Sequence, residues 1–234
     1  MVAEEVMRRR EVEVLDADCS VHRVAESVAR AKVHMVNPPL MPSPQPFSAV
    51  LLAGGQSSRM GTDKAGLVID GEPLWQRQLA KLHSAGAAEV FISGHLDGPY
   101  AGSGVEIIED FMPLSGPLAG IATAFHRARH DWLLVLAVDL PDVSAGLLAQ
   151  IAAEAIADGA GRVPAHGEWL QPLAAVFPRS CAPIVEECLA SEHRSMRQFF
   201  RLAKEQGLMD ARVLTDAEYA QFRNLNFPAD LSGS

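Results

Sequence analysis

Apolar and polar positions fall in short blocks along this chain, and the blocks change period. The run FSAVLLA, residues 47–53, is continuous, rich in strand formers and stops at the glycine pair Gly54 and Gly55. Similar runs predict strands near 48–53, 88–93, 105–108, 132–138 and 172–177. Apolar positions at helical spacing between and after them predict helices near 73–85, 117–129, 144–157, 180–190 and 195–205. Strands separated by helices imply α/β architecture: a Rossmann-like, mostly parallel sheet with helices on both faces. Ligands of such sheets sit beyond the carboxyl ends of the strands. The loops after Ala53, Ile92, Ile108 and Val138 should therefore share one crevice.

Before Phe47 the pattern weakens. Residues 1–36 are only weakly amphipathic, and five prolines fall between Pro38 and Pro46. The expected organisation is an N-terminal extension with a proline-rich linker over residues 1–46, then one domain over residues 47–234. A chain of 234 residues that is 48% hydrophobic can bury a core of its own. Its apolar runs are far shorter than the roughly 20 residues of a membrane helix. The start, MVAEEVMRRR, lacks the apolar core of a secretory signal, so a cytoplasmic location is expected. Cys19, Cys181 and Cys188 form no CxxC pair and read as reduced thiols. A net charge of −9 offers no general attraction to nucleic acid, so any phosphate binding must be local.

The segment that offers it is LLAGGQSSRMGTDKAGL, residues 51–67. Glycine lacks a side chain that would hold a phosphate away, so a strand ending in Gly54 and Gly55 can turn sharply and present peptide N–H groups to an anion. Arg59 and Lys64 add full charges. The segment is neither GxxxxGK[ST] nor GxGxxG. A plain strand-to-helix turn explains the two glycines alone, but not the cations beside them.

The pattern LAGGxxxRMGxDK closely resembles the signature of nucleotidyltransferases that use a nucleoside triphosphate and release pyrophosphate, and in particular the molybdenum cofactor guanylyltransferases. The resemblance runs from Ser48 to Leu231 through DGEPLWQRQL, VEIIED, SGPLAGI, VDLP, EHRSMRQFFRL and FRNLNFPADL. It implies the nucleotide-diphospho-sugar transferase type of fold, Mg²⁺ as cofactor, and transfer of GMP from GTP to Mo-molybdopterin. Molybdoenzyme-maturation proteins would be partners.

Carried onto this chain, the resemblance places GTP on Leu52, Ala53, Gly54, Gly55, Lys64, Ser93, Asp110 and Asp139. Arg59, Lys64 and Asp139 take the catalytic roles, and Asp139 takes the metal. A carboxylate at a strand end suits Mg²⁺, which takes one or two protein carboxylates and substrate phosphates; the alternative is a turn or helix-cap aspartate. Asp142 is placed to cap the helix that follows. SGPLAGI supplies small residues at a helix start that points into the crevice. Ser93 stands where the family commonly has asparagine and offers fewer hydrogen bonds to a base. The second substrate would meet Arg194 and Arg197, expected on one helix face, and Asn224 and Asn226, which alternate in an extended segment. The Arg pair also fits a solvated helix face, and the Asn pair a structural turn. Two rival readings stand beside this one: a cytidylyl- or sugar-nucleotidyltransferase of the same fold, and a non-catalytic nucleotide-binding delivery module.

Overall fold

The computed structural model describes residues 45–54, 64–110, 116–191 and 194–225. The extension and linker expected over residues 1–46, apart from Gln45 and Pro46, lie outside the described residues. So do Gly55, Arg59 and Asn226 of the candidate site.

One eight-stranded sheet organises the rest. At its centre β1 (Ser48–Leu52) runs parallel to β4 (Glu89–Ser93) on one side and to β6 (Trp132–Ala137) on the other, with Leu52 level with both Ser93 and Ala137. Beyond β4 lies β5 (Glu106–Ile108), also parallel. Beyond β6 come β9 (Ala174–Pro178), β7 (Gly161–His166) and β10 (Met209–Val213), while β8 (Trp169–Leu170) pairs with β7. A separate hairpin joins β2 (Val68–Ile69) to β3 (Glu72–Pro73).

Strand β6, WLLVLA, is buried at every position, as a strand covered on both faces must be. Successive side chains of a strand point to opposite faces, and this divides the core. Ala49, Leu51, Leu134 and Leu136 pack with α1 (Leu74–Ser84) and α3 (Ala145–Asp158). Val50, Leu52, Leu133 and Val135 pack with α2 (Pro117–Arg127), α4 (Ala182–Ala190) and α5 (Met196–Glu205). Helix α3 follows local rules throughout: Ser144 caps its start by accepting from Leu147 N at 3.2 Å, and Gly159 ends it in the left-handed region. Asp142, expected to be the cap, instead bonds Arg223 at 3.0 Å, because Ser144 lies next to the first turn and Asp142 does not.

The expected helices and five strands are present within a few residues, but the simple parallel alternation is not. Strand β9 runs antiparallel to β6, and β7, β8, β10 and the short helix α6 (Asp216–Tyr219) were not expected. Strand β7, GRVPAH, contains a glycine and a proline. Its register with β9 runs through Arg162 and Val176, and beyond them β8 becomes its neighbour, so the missing N–H of Pro164 falls where the sheet changes partners. Strand β10, MDARV, is a polar edge strand with no apolar run. The reversal at β9 has a positional consequence. Helix α5 ends beside the start of β7, where Gly161 N donates to Leu208 O at 2.8 Å, so α5 begins at the same end of the sheet as the carboxyl ends of β1, β4 and β6.

Candidate active site

The carboxyl ends of β4, β1 and β6 stand side by side, about 4.8 Å apart as neighbouring strands do. Gly54 lies two residues beyond Leu52, and Asp139 two residues beyond Ala137, the partner of Leu52. Gly54 and Asp139 therefore leave adjacent strands at the same level.

Gly54 owes its place to close approach. A Cβ there would sit 3.1 Å from the Cα of Gly94, and its φ is not among the positive ones. Its N–H and that of Ala53 both donate to the carbonyl of Ser93, at 2.8 and 2.9 Å. Those two amides are thus committed inside the protein, contrary to the expectation that Gly54 offers a bare N–H to an anion. Of the expected amide donors, Gly55 falls outside the described residues.

Lys64 opens a single 3-10 turn, Lys64–Gly66, anchored by the fully buried Ala65. Its Nζ donates to the carbonyl of Leu225 at 3.0 Å and lies 3.8 Å from Oδ2 of Asp139. The backbone closes the same triangle, with Leu225 N donating to Asp139 O at 3.0 Å. Three segments distant in sequence therefore meet, and Asn224 comes with them. At this separation and partial exposure the ion pair contributes about 0–1 kcal/mol, too little to explain the arrangement by stability. Burial holds the Asp139 carboxyl above the ordinary aspartate range, and Lys64 pulls it back down. A carboxylate perturbed by burial beside one cation, past the carboxyl ends of parallel strands, is a functional-site candidate.

On the other side of β1, Ser93 and Asp110 form a second pair, with Ser93 Oγ donating to Asp110 Oδ1 at 3.0 Å. Burial raises the Asp110 pKa; the Ser93 hydrogen bond and the nearby His95 lower it. Helix α2 begins here. Gly116, at φ 69°, is its N-cap and Pro117 occupies its first turn. Gly120 lets the helix come close, since a Cβ on it would lie 2.5 Å from Ser93 Oγ and 3.3 Å from Asp110 Oδ1.

Arg194 and Arg197 are exposed and stand on either side of Ser195, the N-cap of α5. Arg194 thus precedes the helix, and the shared helical face expected for the pair does not exist. The connectivity still puts both at the carboxyl end of the parallel strands.

Two groups escaped the sequence reading. Tyr100 is fully buried and its hydroxyl accepts from His95 N at 2.8 Å; Gly94 and Gly98 make room for its ring. Gln78 is fully buried in α1, and its amide donates to the carbonyls of Ala137, Val138 and Leu140, around Asp139. An amide at the centre of the apolar stripe Leu74, Gln78, Leu82 was the available signal. One turn on, Lys81 Nζ donates to Pro141 O. Burial, then Arg77, brings its pKa down to about 8.

Among the described residues no cluster of three or more His, Cys, Asp or Glu could hold a metal by itself. One carboxylate just past the end of β6 fits an ion that completes its shell with water and phosphate oxygens.

Residues 49–208 match the family described as the MobA-like NTP transferase domain. A probable molybdenum cofactor guanylyltransferase of Opitutus terrae is 36% identical over 187 residues, which are 79% of this chain and 92% of that protein. The molybdenum cofactor guanylyltransferase of Serratia proteamaculans is 30% identical over 186 residues, 79% of this chain and 91% of its own. Among solved structures, molybdopterin-guanine dinucleotide biosynthesis protein A of Archaeoglobus fulgidus superposes with a TM-score of 0.62 at 24% identity, covering 79% of this chain and 94% of that one. The 2-C-methyl-D-erythritol 4-phosphate cytidylyltransferase of Thermus thermophilus gives 0.56 at 21%, covering 78% and 94%. The two structures establish the nucleotide-diphospho-sugar transferase type of fold.

Proposed function

Because the chain belongs to the MobA-like NTP transferase family, we propose that it is a molybdenum cofactor guanylyltransferase, moving GMP from GTP to Mo-molybdopterin with release of pyrophosphate. The observation that carries this reading to particular residues is the meeting of Lys64, Asp139 and Leu225 at the carboxyl end of β1 and β6.

The attacking group is a phosphate monoester whose second pKa is about 6, so near neutral pH its oxygen is already deprotonated. The protein need not supply a base. Its task is in-line positioning and neutralisation of the charge that gathers on the α-phosphate and the leaving pyrophosphate. Lys64 would exchange its carbonyl partner for a phosphate oxygen, and Arg59 would act beside it. Asp139 would hold Mg²⁺, which when bound neutralises phosphate charge. Asp110, oriented by Ser93, would meet the guanosine. Arg194, Arg197, Asn224 and Asn226 would receive the second substrate.

In this reading residues 47–234 are the transferase domain and residues 1–46 an appendage. Among the described residues no helix is long and apolar enough to cross a membrane, and Cys181 and Cys188 are buried free thiols. Both suit a cytoplasmic enzyme. The test is pyrophosphate release with GTP, CTP, ATP or UTP plus Mo-molybdopterin and Mg²⁺. Release confined to GTP and dependent on both additions supports the assignment. A CTP preference favours the cytidylyl alternative, and GTP binding without release favours a delivery module.

A further inference from the structure

The apolar face of α1 carries one residue out of keeping with it. Gln78 has no exposed surface, and its Oε1 has no hydrogen-bond partner among the described residues. A buried polar atom left unmatched is destabilising by about 1–3 kcal/mol, and a methionine of similar length would avoid that. What the amide provides is on the other atom. Nε2 lies 2.8 Å from Leu140 O, 3.3 Å from Ala137 O and 3.4 Å from Val138 O. Its two hydrogens thus face three carbonyls, that of Ala137 at the end of β6 and those of Val138 and Leu140 beyond it.

These carbonyls bracket Asp139. The peptide unit before its Cα is held through Val138 O, which accepts from Gln78, and the unit preceding that one is held on both sides, by Ala137 O accepting from Gln78 and by Val138 N donating to Leu52 O at 3.1 Å. The unit after it is held by Leu225 N on Asp139 O at 3.0 Å. With both flanking peptide planes fixed, the direction in which the Asp139 side chain leaves the backbone is fixed too. Asp139 lies on a loop, and a loop carboxylate that must meet an ion demanding near-ideal octahedral geometry needs such a hold.

We propose that Gln78 is a positioning residue: through the carbonyls of residues 137, 138 and 140 it sets the aim of Asp139 toward the metal–triphosphate complex. The inference rests on the guanylyltransferase reading. Gln78 has no exposed surface through which to meet substrate, so it acts through these carbonyls.

The test uses the full chain and Mn²⁺ as a paramagnetic probe, with free Mn²⁺ followed by electron spin resonance in the presence of GTP. Gln78→Met keeps the volume and removes the donors. The Mn²⁺ midpoint should rise about 10–100-fold, the range for losing a partner that orients a metal ligand. GTP affinity in EDTA should be unchanged, and kcat should fall with KM for the acceptor unaltered. Leu82→Ala, on the same buried face, serves as the control for stability loss alone. A Mn²⁺ midpoint in Gln78→Met equal to wild type overturns the inference, as does an equal shift in Leu82→Ala compared at the same folded fraction. Should Gln78→Met fail to fold, Gln78→His, which keeps one N–H, takes its place; a smaller shift in the same direction supports the proposal and no shift overturns it. A wild-type chain that takes up no Mn²⁺ with GTP overturns the functional reading and this inference together.

Discussion

Gly120→Ala separates a packing role at the Ser93–Asp110 pair from an ordinary helix glycine. In an unconstrained helix interior, replacing glycine by alanine contributes about 1 kcal/mol of stability. Here the added Cβ would lie 2.5 Å from Ser93 Oγ, 2.9 Å from Leu52 Cδ2 and 3.3 Å from Asp110 Oδ1. Overpacking of this kind is destabilising by about 1–3 kcal/mol, so the net outcome is a loss of about 0–2 kcal/mol instead of a gain. The methyl pushes on the hydroxyl that orients Asp110 at 3.0 Å. A hydrogen bond to a charged acceptor is worth about 1.5–3 kcal/mol. At about 1.4 kcal/mol per tenfold, GTP affinity should fall roughly ten- to a hundredfold. Urea denaturation reads the first number and isothermal titration with GTP the second. A variant that gains about 1 kcal/mol and binds GTP as wild type does would refute the reasoning. It would show that α2 absorbs the methyl and that the Ser93–Asp110 pair plays no part in nucleotide binding.

Asp139→Asn should abolish pyrophosphate release while the far-UV circular dichroism stays unchanged. Burial opposes ionisation of this carboxyl, so the variant should also be more stable than wild type at neutral pH, and the difference should vanish as pH falls below the ordinary value of 3.8. Lys64→Met should raise KM for GTP and lower kcat together; steady-state kinetics equal to wild type would leave Lys64 only a structural tie to Leu225. Lys81 has a pKa of about 8 in the fold against 10.5 ordinarily, so the unfolded chain holds its proton longer between those values. Wild-type stability should therefore rise from pH 8 to pH 10.5 relative to Lys81→Met, as read from urea midpoints; parallel curves would contradict the buried placement of the amine.

The sequence was legible where a single local signal sufficed. The run SAVLL and the fully buried WLLVLA declare central strands, and Gly54, two residues after Leu52, lies just past the end of β1. Strands β7 and β10 were not legible, because Gly161 and Pro164 interrupt one and charges fill the other, so neither shows a strand period. The antiparallel course of β9 depends on pairing with β6, which no local pattern encodes. At the candidate site, Lys64, Ser93, Asp110 and Asp139 are singled out one by one by motif positions, but their grouping into two pairs on either side of β1 is visible only in the strand register and the side-chain contacts. Asp142 misled because any acid near a helix start looks like a cap until the register of the first turn is known. Arg194 shares no helix face with Arg197 for the same reason, since the helix boundary falls after Ser195. Gln78 was passed over because a polar residue within an apolar stripe has no meaning until its distant carbonyl partners are known.

The hold of Leu225 on Lys64 and Asp139 gives the protein an order of completion during synthesis. All strands of the sheet have been made once Val213 has left the ribosome, yet the carbonyl that receives the lysine and the N–H that receives the aspartate backbone come twelve residues later. A growing chain can therefore assemble its scaffold before its reaction centre exists. In the proposed reading, the grip on the triphosphate is completed by a segment made only after the last described strand of the sheet.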